Sequence, residues 1–126
     1  MSVLKRPAWH RNWLALDDQR IRHLDAWGEI NSELERLPGW FALSEAEKAD
    51  AQRASGLSEL DALLRVIHRR LARSLRKMPV GPSQDYDAVL ANLRVAERLI
   101  APEENAVVYG LLSRAVRDLA AIQSAS

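Results

Sequence analysis

Apolar residues recur along this chain at intervals of three and four positions, which is the period of an α-helix. β-branched residues are sparse, and they do not alternate with polar residues over the length of a strand. The pattern predicts an all-α protein, a compact bundle of four to five helices joined by short loops. The chain has 126 residues without an internal repeat or linker, so we expect one helical domain over residues 1–126.

The first long helix is predicted to run from Asp17 or Asp18, either of which can cap it, to about Leu37. Pro7 breaks any earlier helix, so residues 1–16 are expected to form an N-terminal arm that is irregular or briefly helical. A Leu-Pro-Gly motif ends this helix, because proline disfavours helix in the residue before it and glycine caps a C-terminus. The predicted inward side consists of Ile21, Leu24, Trp27, Ile30, Leu34 and Leu37.

The next two helices are marked by their termini. Ser44 and Glu47 form a capping box, in which each side chain accepts a hydrogen bond from the other residue's backbone amide. The short second helix that follows is predicted to end at Gly56. Ser58 is then predicted to cap a third helix that runs to about Lys77.

Two further helices complete the chain. A loop rich in proline and glycine, residues 78–83, precedes a fourth helix from about Ser83 to Ile100. Pro102 is predicted to open a fifth helix, because proline is favoured in the first turn. The predicted inward sides are Tyr86, Val89, Leu90, Leu93, Ala96 and Ile100 in the fourth helix, and Val108, Leu111, Leu112, Ala115, Leu119 and Ile122 in the fifth.

Composition narrows the class of protein. Apolar residues make up 48% of the chain, which is enough for a core and too many for a disordered segment. No apolar run approaches the ~20 residues that cross a bilayer, and the N-terminal residues lack the apolar stretch of a signal peptide. The absence of Cys excludes disulfides and thiolate sites and is typical of a cytoplasmic protein. We therefore expect a cytoplasmic protein without a membrane role.

One segment stands out by its charge. The sequence RVIHRRLARSLRK, residues 65–77, contains no acidic residue although the whole chain has a formal net charge of only +1. On a helix that turns by about 100° per residue, its cations fall on one arc, opposite the apolar side. The apolar side consists of Leu60, Leu63, Leu64, Ile67, Leu71, Leu75 and Met78. The cations are Arg65, Arg69, Arg70, Arg73, Arg76 and Lys77.

Neighbouring cations repel one another, at a total cost of roughly 1 kcal/mol, so we ask which anion offsets the repulsion. The simplest interpretation is that the cations are solvated or paired with the acidic face of the first helix, formed by Asp25, Glu29 and Glu33. A second is nucleic acid, because guanidinium groups bind phosphate through two hydrogen bonds. A third is an acidic protein surface or anionic lipid, and lipid is disfavoured because the apolar side is needed for a core.

The leading functional hypothesis is a non-enzymatic binding or assembly subunit whose third helix contacts the backbone of DNA or RNA, within a larger complex. The alternative is a protein–protein interaction module, a homo-oligomer or an adaptor, without a nucleic-acid role. For that alternative, the contact surface is either the Trp9 and Trp13 segment, since tryptophan is enriched at interfaces, or the charged helix faces. Trp27 is expected to belong to the core instead, and Trp40 and Phe41 are expected to seal the end of the bundle.

No enzymatic or metal-binding motif is evident, and we expect neither catalysis nor a cofactor. The three histidines do not follow a zinc-site spacing. The helical layout of residues 57–122 resembles the all-helical chorismate mutases, with Arg70 and Lys77 on the long helix. Residues 84–86, after the loop, lack the Arg and Glu that those enzymes use there. In size and helical pattern the chain also resembles the small helical subunits of bacterial RNA-guided effector complexes.

Overall fold

The computed structural model describes residues 8–79 and 86–125, and it is all-α, which confirms the predicted fold class. Contacts divide the chain into two compact units, one of Leu16–Lys77 and one of Met1–Ala15 with Met78–Ser126. A single domain over residues 1–126 therefore stays a prediction. The described helices are α1 (Ala8–Glu35), α2 (Glu45–Ser55), α3 (Leu57–Arg76), α4 (Tyr86–Leu99) and α5 (Ala106–Ala125), with a 3₁₀ turn at Trp40–Ala42.

Helix α1 extends further toward the N-terminus than predicted. Residues 8–16, expected to be irregular or briefly helical, are helical and continuous with the rest of α1. Trp13 and Leu16 are buried, and burial of one helix face stabilises a helix more than intrinsic propensity does. Pro7 and the residues before it lie outside the described residues.

Asp17 and Asp18 lie in the interior of α1, so the prediction that one of them caps the helix is wrong. Asp17 is only 2% exposed. Its Oδ1 accepts a hydrogen bond from Nε of Arg20 at 2.7 Å, one turn further along the helix. A buried carboxylate requires such a partner, and the i, i+3 spacing supplies it.

The predicted end of α1 at the Leu-Pro-Gly motif is confirmed. Gly39 has a φ of 76°, a left-handed conformation that glycine adopts without steric cost. The chain then places Trp40 in a buried cluster with Leu34 and Leu57, against which Trp27 packs. The core position predicted for Trp27 and the burial predicted for Trp40 are therefore confirmed, whereas Phe41 is 74% exposed and does not seal the end of the bundle as predicted.

The capping box of α2 is confirmed in full. Ser44 Oγ accepts a hydrogen bond from the Glu47 amide at 3.1 Å, and Glu47 Oε1 accepts one from the Ser44 amide at 2.9 Å. The backbone hydrogen bond from Ser44 lowers the pKa of Glu47. Gly56 ends α2 as predicted, with a φ of 90°.

Gly56 also precedes the first residue of α3, so Ser58 does not cap that helix as predicted. One left-handed glycine reverses the chain between α2 and α3, and α3 begins at the next residue. Ser58 therefore already lies inside the helix. The predicted C-terminal end near Lys77 is confirmed, since α3 ends at Arg76. Residues 80–85, which include most of the predicted loop and the predicted start of the fourth helix at Ser83, lie outside the described residues.

Helices α4 and α5 run antiparallel and are joined by side-chain hydrogen bonds. Ser113 Oγ donates to Glu97 Oε2 at 2.7 Å, and Gln123 Nε2 donates to Asp87 Oδ1. From the first pair to the second, the residue number decreases in α4 and increases in α5. This order is what two antiparallel neighbours joined by a short turn produce.

The start of α5 differs from the prediction. The helix begins at Ala106, and Pro102 lies in the turn that precedes it. Asn105 Oδ1 accepts a hydrogen bond from the Val108 amide at 3.1 Å. Asparagine is a strong N-cap residue because its side chain satisfies one of the amides that a helix start leaves unpaired. Here that cap determines the start of the helix.

Several residues predicted to face inward are exposed instead. In α5 the buried residue is Val116, and in α4 the buried residues are Ala88, Leu90 and Val95. The apolar positions of α5 cover about half of the helix circumference, so periodicity alone does not select which part is buried. The exposed residues are Ile21, Leu24, Leu37, Leu63, Met78, Tyr86, Val89, Val108, Leu111 and Ile122.

Within the described ranges, none of the helices combines the length and apolar character that a membrane span needs.

Candidate nucleic-acid interface

The cations of residues 65–77 form one face of α3, as the periodicity predicts. We call this face the basic stripe. Every residue of the stripe is exposed, and the last of them directly follows the end of the helix. The stripe consists of Arg65, Arg69, Arg70, Arg73, Arg76 and Lys77.

The opposite face of α3 is buried and fixes the direction in which the stripe points. Its buried residues are Leu57, Leu64, Ile67 and Leu71. At about 100° per residue these residues occupy an arc of about 80°, and the basic stripe occupies an arc of about 140° on the other side. Burial of one face therefore holds the stripe toward solvent.

The cations of the stripe have no carboxylate partner in the part of the chain that the structure describes. Ion pairs there join Arg20 to Asp17 and Arg53 to Asp50, and both are local contacts within one helix. The acidic face of α1 was the expected internal partner of the stripe. No ion pair joins that face to the stripe among residues 8–79 and 86–125, so internal neutralisation finds no support there.

Two apolar side chains lie beside the cations. Val66 falls within the arc of the stripe and Leu63 at its edge, and they are 40% and 41% exposed. Leu63 was predicted to face inward, and no prediction was made for Val66. The helical periodicity was sufficient to predict the exposure of Val66, because around the helix axis this residue lies between Arg73 and Lys77. The face is thus cationic with an apolar edge.

The two tryptophans proposed as interface anchors differ in accessibility. Trp13 is 3% exposed and is covered by its own chain. Trp9 is partly buried, with its ring perpendicular to that of His10 and the centroids 5.1 Å apart. Burial lowers the pKa of His10 and favours its neutral form. The interface role of the two tryptophans stays a prediction, and the burial of Trp13 counts against it.

The described residues contain no group of three or more metal-ligating side chains placed to hold an ion. Helices and stripe together define an all-α protein with one exposed cationic helix face. Searches of protein-family models, of curated protein sequences and of solved structures find no match to this chain. Function is therefore inferred from the residues and their geometry.

Proposed function

We propose that the basic stripe binds the phosphate backbone of DNA or RNA, and that the chain is a non-enzymatic subunit of a larger assembly. The observation that carries this proposal is the exposure of the whole stripe on one helix face, without an ion pair to a described carboxylate. An external polyanion offsets the repulsion among these cations, which nothing in the described part of the chain relieves.

The composition of the stripe favours phosphate as the anion. All of its members except Lys77 are arginines. A guanidinium group presents donors in a planar fork that matches two phosphate oxygens, whereas an ammonium group acts as a point charge. Because α3 holds the side chains on one face before binding, less conformational entropy is lost on association.

The dimensions of the stripe suit a nucleic-acid strand. From Arg65 to Lys77 the stripe spans about 18 Å, at a rise of 1.5 Å per residue. A duplex carries about one phosphate per 1.7 Å of its axis, so phosphates outnumber the cations along that length. Phosphates are therefore available along the whole length of the stripe.

The stripe carries no Phe, Tyr or Trp on which bases would stack. Proteins that read single-stranded bases rely on such aromatic platforms. Contacts from arginine and lysine to phosphates position a protein on the backbone and carry no sequence information. The proposed binding is therefore independent of sequence.

Charge reversal within the stripe tests the proposal. We expect the double variant Arg69→Glu, Arg73→Glu to lose affinity for a labelled oligonucleotide by on the order of 100-fold, measured by fluorescence anisotropy at low salt. The matched control is Arg114→Glu, Arg117→Glu, which reverses two exposed arginines on α5. Circular dichroism should show the same helicity in both variants. Equal losses in the two variants, or no loss in the first, would refute the proposal.

A further inference from the structure

The outward face of α1 carries a row of three carboxylates, opposite in sign to the basic stripe, with the exposed Arg22 and Arg36 at its two ends. Asp25, Glu29 and Glu33, which we call the acidic ladder, are exposed and follow one another every four residues. Across the described ranges, none of them forms a side-chain hydrogen bond or an ion pair. They line a shallow open groove together with Leu24, Gly28, Ser32 and Arg36.

The spacing of the acidic ladder matches that of the stripe. Arg65, Arg69 and Arg73, which we call the basic ladder, repeat the same four-residue step on α3. Successive members of either ladder lie about 6 Å apart along the helix axis. Because the spacing is uniform, each carboxylate can face one guanidinium whether the two helices run parallel or antiparallel.

We infer that the acidic ladder is a docking site for a second copy of this chain, which binds it through its basic ladder. The two ladders do not pair with each other inside the described part of one chain. Every copy carries one ladder of each sign, so complementary charge and matched spacing are always available in a second copy. Such contacts produce either a symmetric pair or a head-to-tail array.

Apolar side chains border both ladders and add to the contact. Leu24 is 45% exposed beside the acidic ladder, and Leu63 and Val66 border the basic ladder. Ion pairs on a protein surface are individually weak, because water and salt screen them. Removal of these apolar edges from water contributes stabilisation that the ion pairs alone do not.

This inference goes beyond the proposed function, because it assigns the acidic ladder, which the proposed function leaves unused. The basic ladder serves in both interactions. Nucleic acid and the second copy therefore compete for it, and added oligonucleotide should dissociate the assembly. Self-association itself requires no nucleic acid.

Sedimentation equilibrium of the full chain, treated with nuclease and held at low salt, tests the inference. We expect a mass above 14.2 kDa that rises with protein concentration and falls toward 14.2 kDa as salt is added. The acid-reversed variant carries Asp25→Lys, Glu29→Lys and Glu33→Lys. The base-reversed variant carries Arg65→Glu, Arg69→Glu and Arg73→Glu. Each variant alone should associate at least about tenfold more weakly than the wild-type chain.

Mixing the two variants provides the decisive result. The lysines of the acid-reversed variant complement the glutamates of the base-reversed variant, and the unchanged ladders of the two also complement each other. An equimolar mixture should therefore regain the association that each variant has lost. A chain that carries both sets of reversals should associate with itself. Loss of folding does not explain recovery on mixing, and circular dichroism checks each variant directly.

The Arg114→Glu, Arg117→Glu variant is the control, and its association should equal that of the wild-type chain. A wild-type mass of 14.2 kDa at every concentration and at low salt would overturn the inference. So would failure of the mixture to associate. Oligonucleotide binding by the wild-type chain, and its loss in the Arg69→Glu, Arg73→Glu variant, reports on the proposed function separately, because the three added lysines of the acid-reversed variant would themselves bind phosphate. Association without oligonucleotide binding refutes the proposed function alone. Oligonucleotide binding without self-association refutes the inference alone.

Discussion

Helices α3 and α5 have the same length, 20 residues, but they use it in opposite ways. α5 is richer in apolar residues, yet Val116 is its one buried residue in the described structure, and Leu111 remains 59% exposed. α3 has fewer apolar residues and more charge, but it buries four of them on one face. The difference shows that segregation of residue types around a helix, rather than apolar content, determines how much of it enters a core.

Segregation has a second consequence for α3. Because its apolar residues occupy a narrow arc, the remaining surface is left to charged residues that the core does not need. α5 has no equivalent face, since its charged residues are two arginines, Arg114 and Arg117, and one acid, Asp118. The candidate site is therefore a direct result of the way in which α3 packs.

The largest difference between the two helices should appear in stability. We expect Leu64→Ala, at a position that is 6% exposed in α3, to lower the free energy of unfolding by about 2–5 kcal/mol, because it leaves a cavity. The same substitution in α5, Leu111→Ala, should cost less than about 1 kcal/mol. Urea unfolding followed by circular dichroism measures both values. Similar costs at the two positions would contradict the burial described for these helices.

The two helix starts should differ by a smaller amount. Asn105→Ala removes the side-chain cap of α5 and should lower the free energy of unfolding by about 1 kcal/mol. Ser58→Ala in the first turn of α3 should change it by less than about 0.5 kcal/mol, because no hydrogen bond of a cap is lost there. Thermal melts of the two variants provide the comparison. A larger loss for the Ser58 variant would restore that residue as the cap of α3.

The smallest effect concerns repulsion within the stripe. Arg69 has a like charge four residues away on either side, at Arg65 and Arg73. Arg69→Gln should therefore raise the free energy of unfolding by a few tenths of a kcal/mol at low salt. Arg117→Gln in α5 should raise it less, since Arg117 has one like-charged neighbour on its face, Arg114 three positions away, and Asp118 of opposite sign follows it. Added salt should reduce the gain from Arg69→Gln, and a loss of stability would indicate that the stripe has an internal partner.

The sequence was sufficient to predict the all-α class, the capping box of α2 and the outward arc of α3. These features depend on local chemistry or on a narrow apolar arc, which periodicity identifies. It was insufficient for α5, whose broad apolar arc does not select a buried face. The predicted starts of α1 and α5 were also wrong. Burial of Trp13 outweighed the predicted cap at Asp17, and the cap at Asn105 outweighed the predicted first-turn position of Pro102.

The position of the basic stripe could be predicted from the sequence as well as the buried face of α3 could. The exposure of the stripe follows from the burial of Leu64, Ile67 and Leu71, which the periodicity indicated. Whether an acidic face neutralises the stripe depends on how helices lie together, which a pattern along one helix does not contain. The identity of the anion depends on a partner outside the chain, so phosphate binding stays a proposal.

The salt dependence of oligonucleotide binding tests the central claim most directly. If all the cations of the basic stripe contact phosphates, the logarithm of the association constant should fall linearly with the logarithm of salt concentration, with a slope of roughly −4 to −5. Removal of one stripe cation, as in Arg69→Gln, should make that slope less steep by roughly one. A slope near zero, or one that Arg69→Gln leaves unchanged, would contradict the account.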